Sequence, residues 1–369
     1  MKWQEWKEME RTNIRRNYPR FIILFLLSIS CIAPGDTAAT GQKNLASDPE
    51  NVVEIPAETT TIQEMINNAR PNTTIQLPAG TITEILTITK PLHLKGQGST
   101  QTRLSPTSSP NGYGIHILAQ GVLLSDLSIT NQGPGLYTTC VKVSASNTTI
   151  QNCTFHDTPI GIALWGSNNT ISGCEFRNCD DEGIVLLGAS TTACTNNTIT
   201  SCIFSENCDG IELQYATHTQ INSCSFLQNT HAGIDAIESN NNYNIISYCT
   251  FTDNQAFGLY LARSSETLIT HCSFSDDTIT FVHATNNTIL KSQLTRMHLM
   301  DDSTLLIDQC TDITVSDILS QQSSYEIRTE PSPGEKKTHL SIYQSLLLSL
   351  LSRFKTVQSL YEQILEARM

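Results

Sequence analysis

Six segments of the chain end alike, in Cys-x-Phe after a short polar and β-branched run. They are "NTTIQNCTF" at Phe155, "NTISGCEF" at Phe176, "NTITSCIF" at Phe204, "TQINSCSF" at Phe226, "NIISYCTF" at Phe251 and "TLITHCSF" at Phe274. The cysteines, Cys153, Cys174, Cys202, Cys224, Cys249 and Cys272, follow one another at 21, 28, 22, 25 and 23 residues. A motif that stays constant over intervals of this size marks a solenoid, each repeat being one turn stacked on the last. Within a copy, short β-branched runs are separated by Gly, Asn, Asp and Thr, so the unit is a coil of strands and not a helix pair. Stacked coils of strands make a parallel β-helix, an all-β solenoid with equivalent residues about 4.8 Å apart.

The register extends both ways. Leu127 in "LLSDLSI" and Ser292 in "NTILKSQL" take the place of the repeating cysteine. From Val53 to Leu319 the pattern allows roughly ten coils, a solenoid on the order of 50 Å long. "NNT" recurs at Asn168, Asn196 and Asn286, each just before the strand that leads to the cysteine column. Asparagine tolerates the left-handed backbone of a tight turn, which explains the repetition more simply than a glycosylation sequon does. Ahead of the coils, Ile62, Met65, Ile66 and Ala69 fall at helical spacing, so Thr61 to Arg70 is expected to be a helix capping the first coil.

The termini read differently. Six basic residues among the first twenty precede the apolar run "FIILFLLSISCIA", which is short for a membrane span and suits a signal peptide or signal anchor. The organisation read from sequence is a signal over 1–39, a linker over 40–52, the β-helix over 53–320, a linker over 321–338 and a C-terminal amphipathic helix over 339–369. In that last segment Tyr343, Leu347, Leu350, Phe354, Val357, Tyr361 and Ile364 form a heptad seam, suited to self-association or to folding back on the coils. Beyond residue 20 the chain holds 16 basic residues against 32 acidic ones. Such an acidic balance argues against nucleic acid as a partner, because phosphate contact needs clustered Lys and Arg. It fits a secreted, periplasmic or cell-surface protein. The six repeating cysteines read as a buried thiol column. Cys179 and Cys208, outside it in adjacent turns, are the candidates for a disulfide or metal pair.

Columns also locate candidate chemistry. Counting from the glycine of each Gly-Ile or Gly-Leu pair, the second residue after it points outward, and this column reads Ala163, Val185, Glu212, Asp235 and Tyr260. Glu212 and Asp235 thus stand side by side on what reads as an exposed acidic strand face. Two such carboxylates repel unless one holds a proton or a cation such as calcium lies between them. Asp209, His231, Asp180 and Asp181 come just before these strands. Candidate catalytic residues are Glu212, Asp235, Asp209 and His231. Candidate substrate contacts are Trp165, Tyr260, Arg263 and Asp181. Trp165 is the only tryptophan after residue 20 and stands in the next outward column, ready to stack on a sugar ring. Arg263 faces Glu238 across adjacent coils, which reads as a surface ion pair.

The stretch "TTIQEMINNARPNTTIQLPAGTITEILTITKPLHLKGQGS" resembles the start of the pectin-lyase-like right-handed parallel β-helix proteins, among them NosD-type, carbohydrate-binding and sugar-hydrolase groups. Asn72 to Thr74 replace the usual Gly-Asp of that opening, and Ile82 the usual Tyr. The resemblance implies the fold over about 270 residues and places substrate clefts on the outward strand face. It does not supply a complete enzyme signature. "NCDG" and "NTHAG" only echo the motifs of galacturonan hydrolases, and Arg263 is a remote stand-in for the base of a calcium-dependent pectate lyase. The NosD-type likeness implies copper, for which "RMHLM" offers Met297, His298 and Met300, although Met297 should point away from the other two. Two functions fit: an exported β-helix that binds an extracellular polysaccharide, with or without cleaving it as a lyase or hydrolase, or a non-catalytic surface protein whose solenoid is a spacer.

Overall fold

The computed structural model describes residues 52–53, 61–192, 194–237, 241–313, 318–320 and 322–328. The expected signal segment, Glu238 and the C-terminal helix lie outside them. Within the described residues the chain is a parallel β-helix whose three long sheets hold 13, 11 and 9 strands. A full coil gives one strand to each sheet in turn, and coils near the ends lack one or two of the three. One coil runs through Thr149–Gln151, Thr154–Thr158 and Ile160–Leu164. The next runs through Thr170–Ser172, Glu175–Cys179 and Glu182–Leu187, paired in parallel with its predecessor. The eleven-stranded sheet sets the number of turns at about eleven.

A helix, α1 (Ile62–Asn68), precedes the coils. Thr61 opens it with a reciprocal capping box to Glu64, and Ile62, Met65 and Ile66 are buried in the main core. At the other end Ser324–Arg328 pairs with Thr304–Asp308, so the solenoid runs on into residues read as linker. The sequence reading ended the solenoid at 320. Tyr325 and Ile327 alternate as a strand should and pack against the core.

Columns of identical chemistry run through the coils. The six repeating cysteines are all buried free thiols. Each donates to the carbonyl two residues before it and to one in the preceding coil, as Cys224 Sγ does to Asn222 O at 3.3 Å and Ile199 O at 3.7 Å. Two residues on, Phe155, Phe176, Phe204, Phe226, Phe251 and Phe274 stack face to face, with neighbouring ring centroids 4.4 to 4.9 Å apart. Immediately before the cysteines the chain turns on one left-handed residue per coil, with φ 53° at Asn152, 54° at Ser201 and 53° at Ser223. The "NNT" turns are equivalent as expected, with φ 57° at both Asn168 and Asn196 and Thr170 paired with Thr198. Cys179 and Cys208 lie in adjacent coils, joined through their backbones and not by a disulfide.

A buried asparagine ladder marks the corner after the phenylalanines. Backbone N–H groups of Cys179, Asn207 and Asn229 donate to the side-chain oxygens of Asn207, Asn229 and Asn254 in turn. Asn254 donates its N–H and its amide to the two oxygens of Asp277, at 3.0 and 3.2 Å.

Alternation breaks just beyond this corner. A Cβ on Gly183 would lie 2.9 Å from the Phe204 ring and 2.7 Å from the Gly210 carbonyl, so this glycine faces the phenylalanine stack. Ile184, the next residue, is also buried in the core. Two successive residues facing inward put the residue before the glycine on the outside. Ile160 accordingly packs with Ala163 and Val185 in an apolar cluster of its own, outside the main core.

Candidate functional site

The outer face of the eleven-stranded sheet carries the register read from sequence. Lys142, Ala163, Val185, Glu212, Asp235, Tyr260, Thr280 and His298 lie in one row across successive strands. Because of the break at the glycine, a second outward row precedes it, in which Glu182 pairs with Asp209 and Asp209 with Ala232. Glu182 was missed in the sequence because strict alternation counts it as core-facing. Its signal is its place directly before Gly183, the same place Asp209 holds before Gly210.

Three neighbouring strands, Glu182–Leu187, Asp209–Gln214 and Ala232–Ala236, therefore gather Glu182, Asp209, Glu212 and Asp235. His231 leans in from the turn before the third. Its Nδ1 is 2.8 Å from Asp209 Oδ1 and 3.8 Å from Asp235 Oδ2. Asp209 Oδ1 also accepts from the Ala232 N–H at 2.8 Å, and Gln214 donates its amide to Glu212. Phe257 packs edge-on against the His231 ring, 5.6 Å between centroids, and against Tyr260.

The expected exposed acidic face needs a correction. Glu212 is 8% exposed, Asp235 2% and Glu182 6%. In register, Glu212 and Asp235 lie between Val185 on one side and Tyr260 on the other. The cluster of Ile160, Ala163 and Val185, with Tyr137 and Leu187 packed on it, borders the acids. These apolar flanks remove water, and loss of water disfavours a carboxylate. Burial, and then Asp209, pushes Glu212 up to about 7. Burial, and then Asp181 and Glu212, holds Glu182 well above its ordinary value. Burial chiefly raises Asp181 to about 6. Tyr137 is raised as well, by burial and then by the charges of Asp181 and Glu182.

The other expected residues divide. Trp165 is 41% exposed on the same face, two coils from Glu212. Tyr260 adjoins Asp235. Asp180 is exposed away from the cluster, and Arg263 stands with φ 50° in the turn after Ala262, past the end of the row. As alternation requires, Met297 is fully buried inward while His298 faces out, so "RMHLM" does not assemble a copper site.

Asp209, His231 and Asp235 offer ligand atoms within 4.8 Å of one another. The set suits calcium poorly. That ion takes six or more oxygens, whereas this set includes an imidazole, and Asp209 Oδ1 already accepts from the Ala232 N–H. The arrangement is better suited to proton traffic, with an acid that keeps its proton near neutrality beside a carboxylate paired to histidine.

The fold defines the class: a right-handed parallel β-helix. The chain belongs to the family with a right-handed β-helix region, whose model matches residues 92–246 and 209–319. A search of curated protein sequences finds no match. Among solved structures, the A-module of a mannuronan C-5 epimerase from Azotobacter vinelandii is similar, with a TM-score of 0.55, 13% identity, and coverage of 70% of this chain and 87% of that one. The catalytic domain of a GH87 α-1,3-glucanase in complex with nigerose is also similar, with a TM-score of 0.50, 13% identity, and coverage of 79% and 70%. At these identities the likeness is one of fold.

Proposed function

We propose that this protein binds a polysaccharide along the outer face of the eleven-stranded sheet and cleaves it at the carboxylate cluster. The observation that carries the reading is the contrast inside the cluster. Burial raises Glu212 to about 7, so it can give a proton to a leaving oxygen. Asp209 and Asp235, within reach of His231, supply the opposing carboxylates that a glycosidic bond or a sugar-ring proton requires. Exposed Trp165 two coils away offers a stacking surface for the same chain of sugars. The similar solved structures include a mannuronan epimerase module and an α-1,3-glucanase domain, which supports a glycan as partner.

The test is a panel of neutral and acidic polysaccharides, read both for new reducing ends and for the ultraviolet absorbance of unsaturated products. Glu212→Gln should lower turnover at least about a hundredfold while glycan binding is retained. Turnover unchanged in Glu212→Gln would overturn the assignment. An extracellular glycan as partner would go with export, and the basic and apolar stretch of the first forty residues supports reading the chain as exported. N-terminal sequencing of the protein recovered from medium or periplasm checks this.

A second reading draws on the burial itself. Acids at 2% to 8% exposure also suit a non-catalytic surface protein, whose solenoid is a spacer and whose C-terminal heptad seam supplies assembly. Absence of both turnover and glycan binding favours it.

A further inference from the structure

Three coils before Glu212 in the same outward row stands Lys142. Its ammonium lies over two aromatic faces, 4.4 Å from the Tyr113 ring centroid and 4.6 Å from that of Trp165. Nζ donates to the Tyr113 hydroxyl at 2.9 Å. Among the described residues no carboxylate pairs with it, although acids outnumber bases two to one beyond residue 20. His116 adjoins Lys142 in the row, bonded to Ser144 Oγ at 2.9 Å, and burial together with Lys142 lowers its proton affinity. Among these groups, the cation without a carboxylate is Lys142. The rings fix it, and Trp165 presents an exposed apolar face beside it.

From this geometry we infer that Lys142, Tyr113 and Trp165 form a subsite for a sugar that carries an anionic group, a uronate carboxylate being the simplest. The ring stacks on Trp165 and the carboxylate meets the free N–H groups of Lys142. This rests on the polysaccharide reading and narrows it. Coils follow one another at about 4.8 Å, comparable to the advance of one sugar in an extended glycan, so the acidic sugar lies about three units along from Glu212. A uniformly charged polyuronate would bring like charge onto Asp209 and Asp235. The arrangement therefore selects an acidic heteropolysaccharide, anionic at Lys142 and neutral at Glu212.

The site is tested on the full chain by titrating tryptophan fluorescence with methyl glucuronide and with methyl glucoside. The uronide should give a saturable change that disappears in Trp165→Phe, with Trp3 and Trp6 remaining as background. Its affinity should exceed that for the glucoside by about tenfold, the worth of one charge-assisted hydrogen bond. Lys142→Met keeps the apolar stem between the rings and should erase that preference, and Lys142→Arg should restore it. Equal responses to the two sugars, no response to the uronide, or a preference that survives Lys142→Met overturns the inference. Because the readout is binding at Trp165, it is independent of cleavage. Uronide binding in a chain without turnover would leave this site standing and defeat the catalytic proposal. Turnover on a neutral glycan without uronide preference would do the reverse.

Discussion

Glu212 shows how far one side chain's behaviour is set by its neighbours. Its ordinary value is 4.5, and in the folded chain burial raises it to about 7. Between these values the folded state keeps a proton that the unfolded chain has released. Stability therefore falls as pH rises through the window, and the full cost is present above it. Glu212→Gln removes the titration while leaving an oxygen for the Gln214 amide. The variant should gain on the parent progressively from pH 5 to pH 8, by up to about 3 kcal/mol. Urea unfolding at both pH values measures this, and parallel pH dependence in the two proteins would refute it. The pairing of Glu212 with Asp235 was legible in the sequence, because the repeats fix which residues share a row. The burial was not. Rows fix which residues adjoin along the face, not how much water the neighbouring turns leave over it. Glu182 escaped because the glycine after it faces inward, a break that strict alternation cannot anticipate.

Elements here are held less by individual strands, many only three residues long, than by the columns that join them. Asn229 illustrates the point. Its oxygen accepts from the N–H and the amide of Asn207, and its own amide donates to Phe204 O and Asn254 Oδ1. Asn229→Ala would strand the Asn207 donors and the Phe204 carbonyl in a site without water. The expected loss is about 3 kcal/mol, since each stranded group costs roughly 1–3. A surface substitution such as Thr250→Ala should cost under about 0.5 kcal/mol. Equal unfolding midpoints for the two variants would mean that the ladder is incidental. The cysteine and phenylalanine columns were evident in the sequence because each repeats its residue type. The ladder was partly hidden, since its last rung is an aspartate and its first donor a cysteine backbone.

The solenoid as a whole has neighbour contacts only, each coil touching the one before and the one after, so its stability is expected to vary along its length. The thiol column is a built-in reporter, one cysteine per coil. Under native conditions alkylation followed by mass spectrometry should find Cys202 and Cys224, in the middle coils, slowest to react. Rates should rise toward Cys272 and be highest at half-buried Cys310. One common rate for all the column thiols would show that the coils open together. The asparagine ladder adds a rule of growth. Every asparagine rung receives from one coil and hands donors to the next, whereas Asp277 accepts both donors of Asn254 and hands on none. A duplicated coil spliced between Asn207 and Asn254 would find a donor waiting below and an acceptor above. One added beyond Asp277 would meet a stop signal. Spliced between Glu212 and Asn229, the added coil would lie past Glu212, so Lys142 and Glu212 would keep their spacing of three coils, while Asp235 would move away from Glu212 by one whole step and the acid pair would be parted.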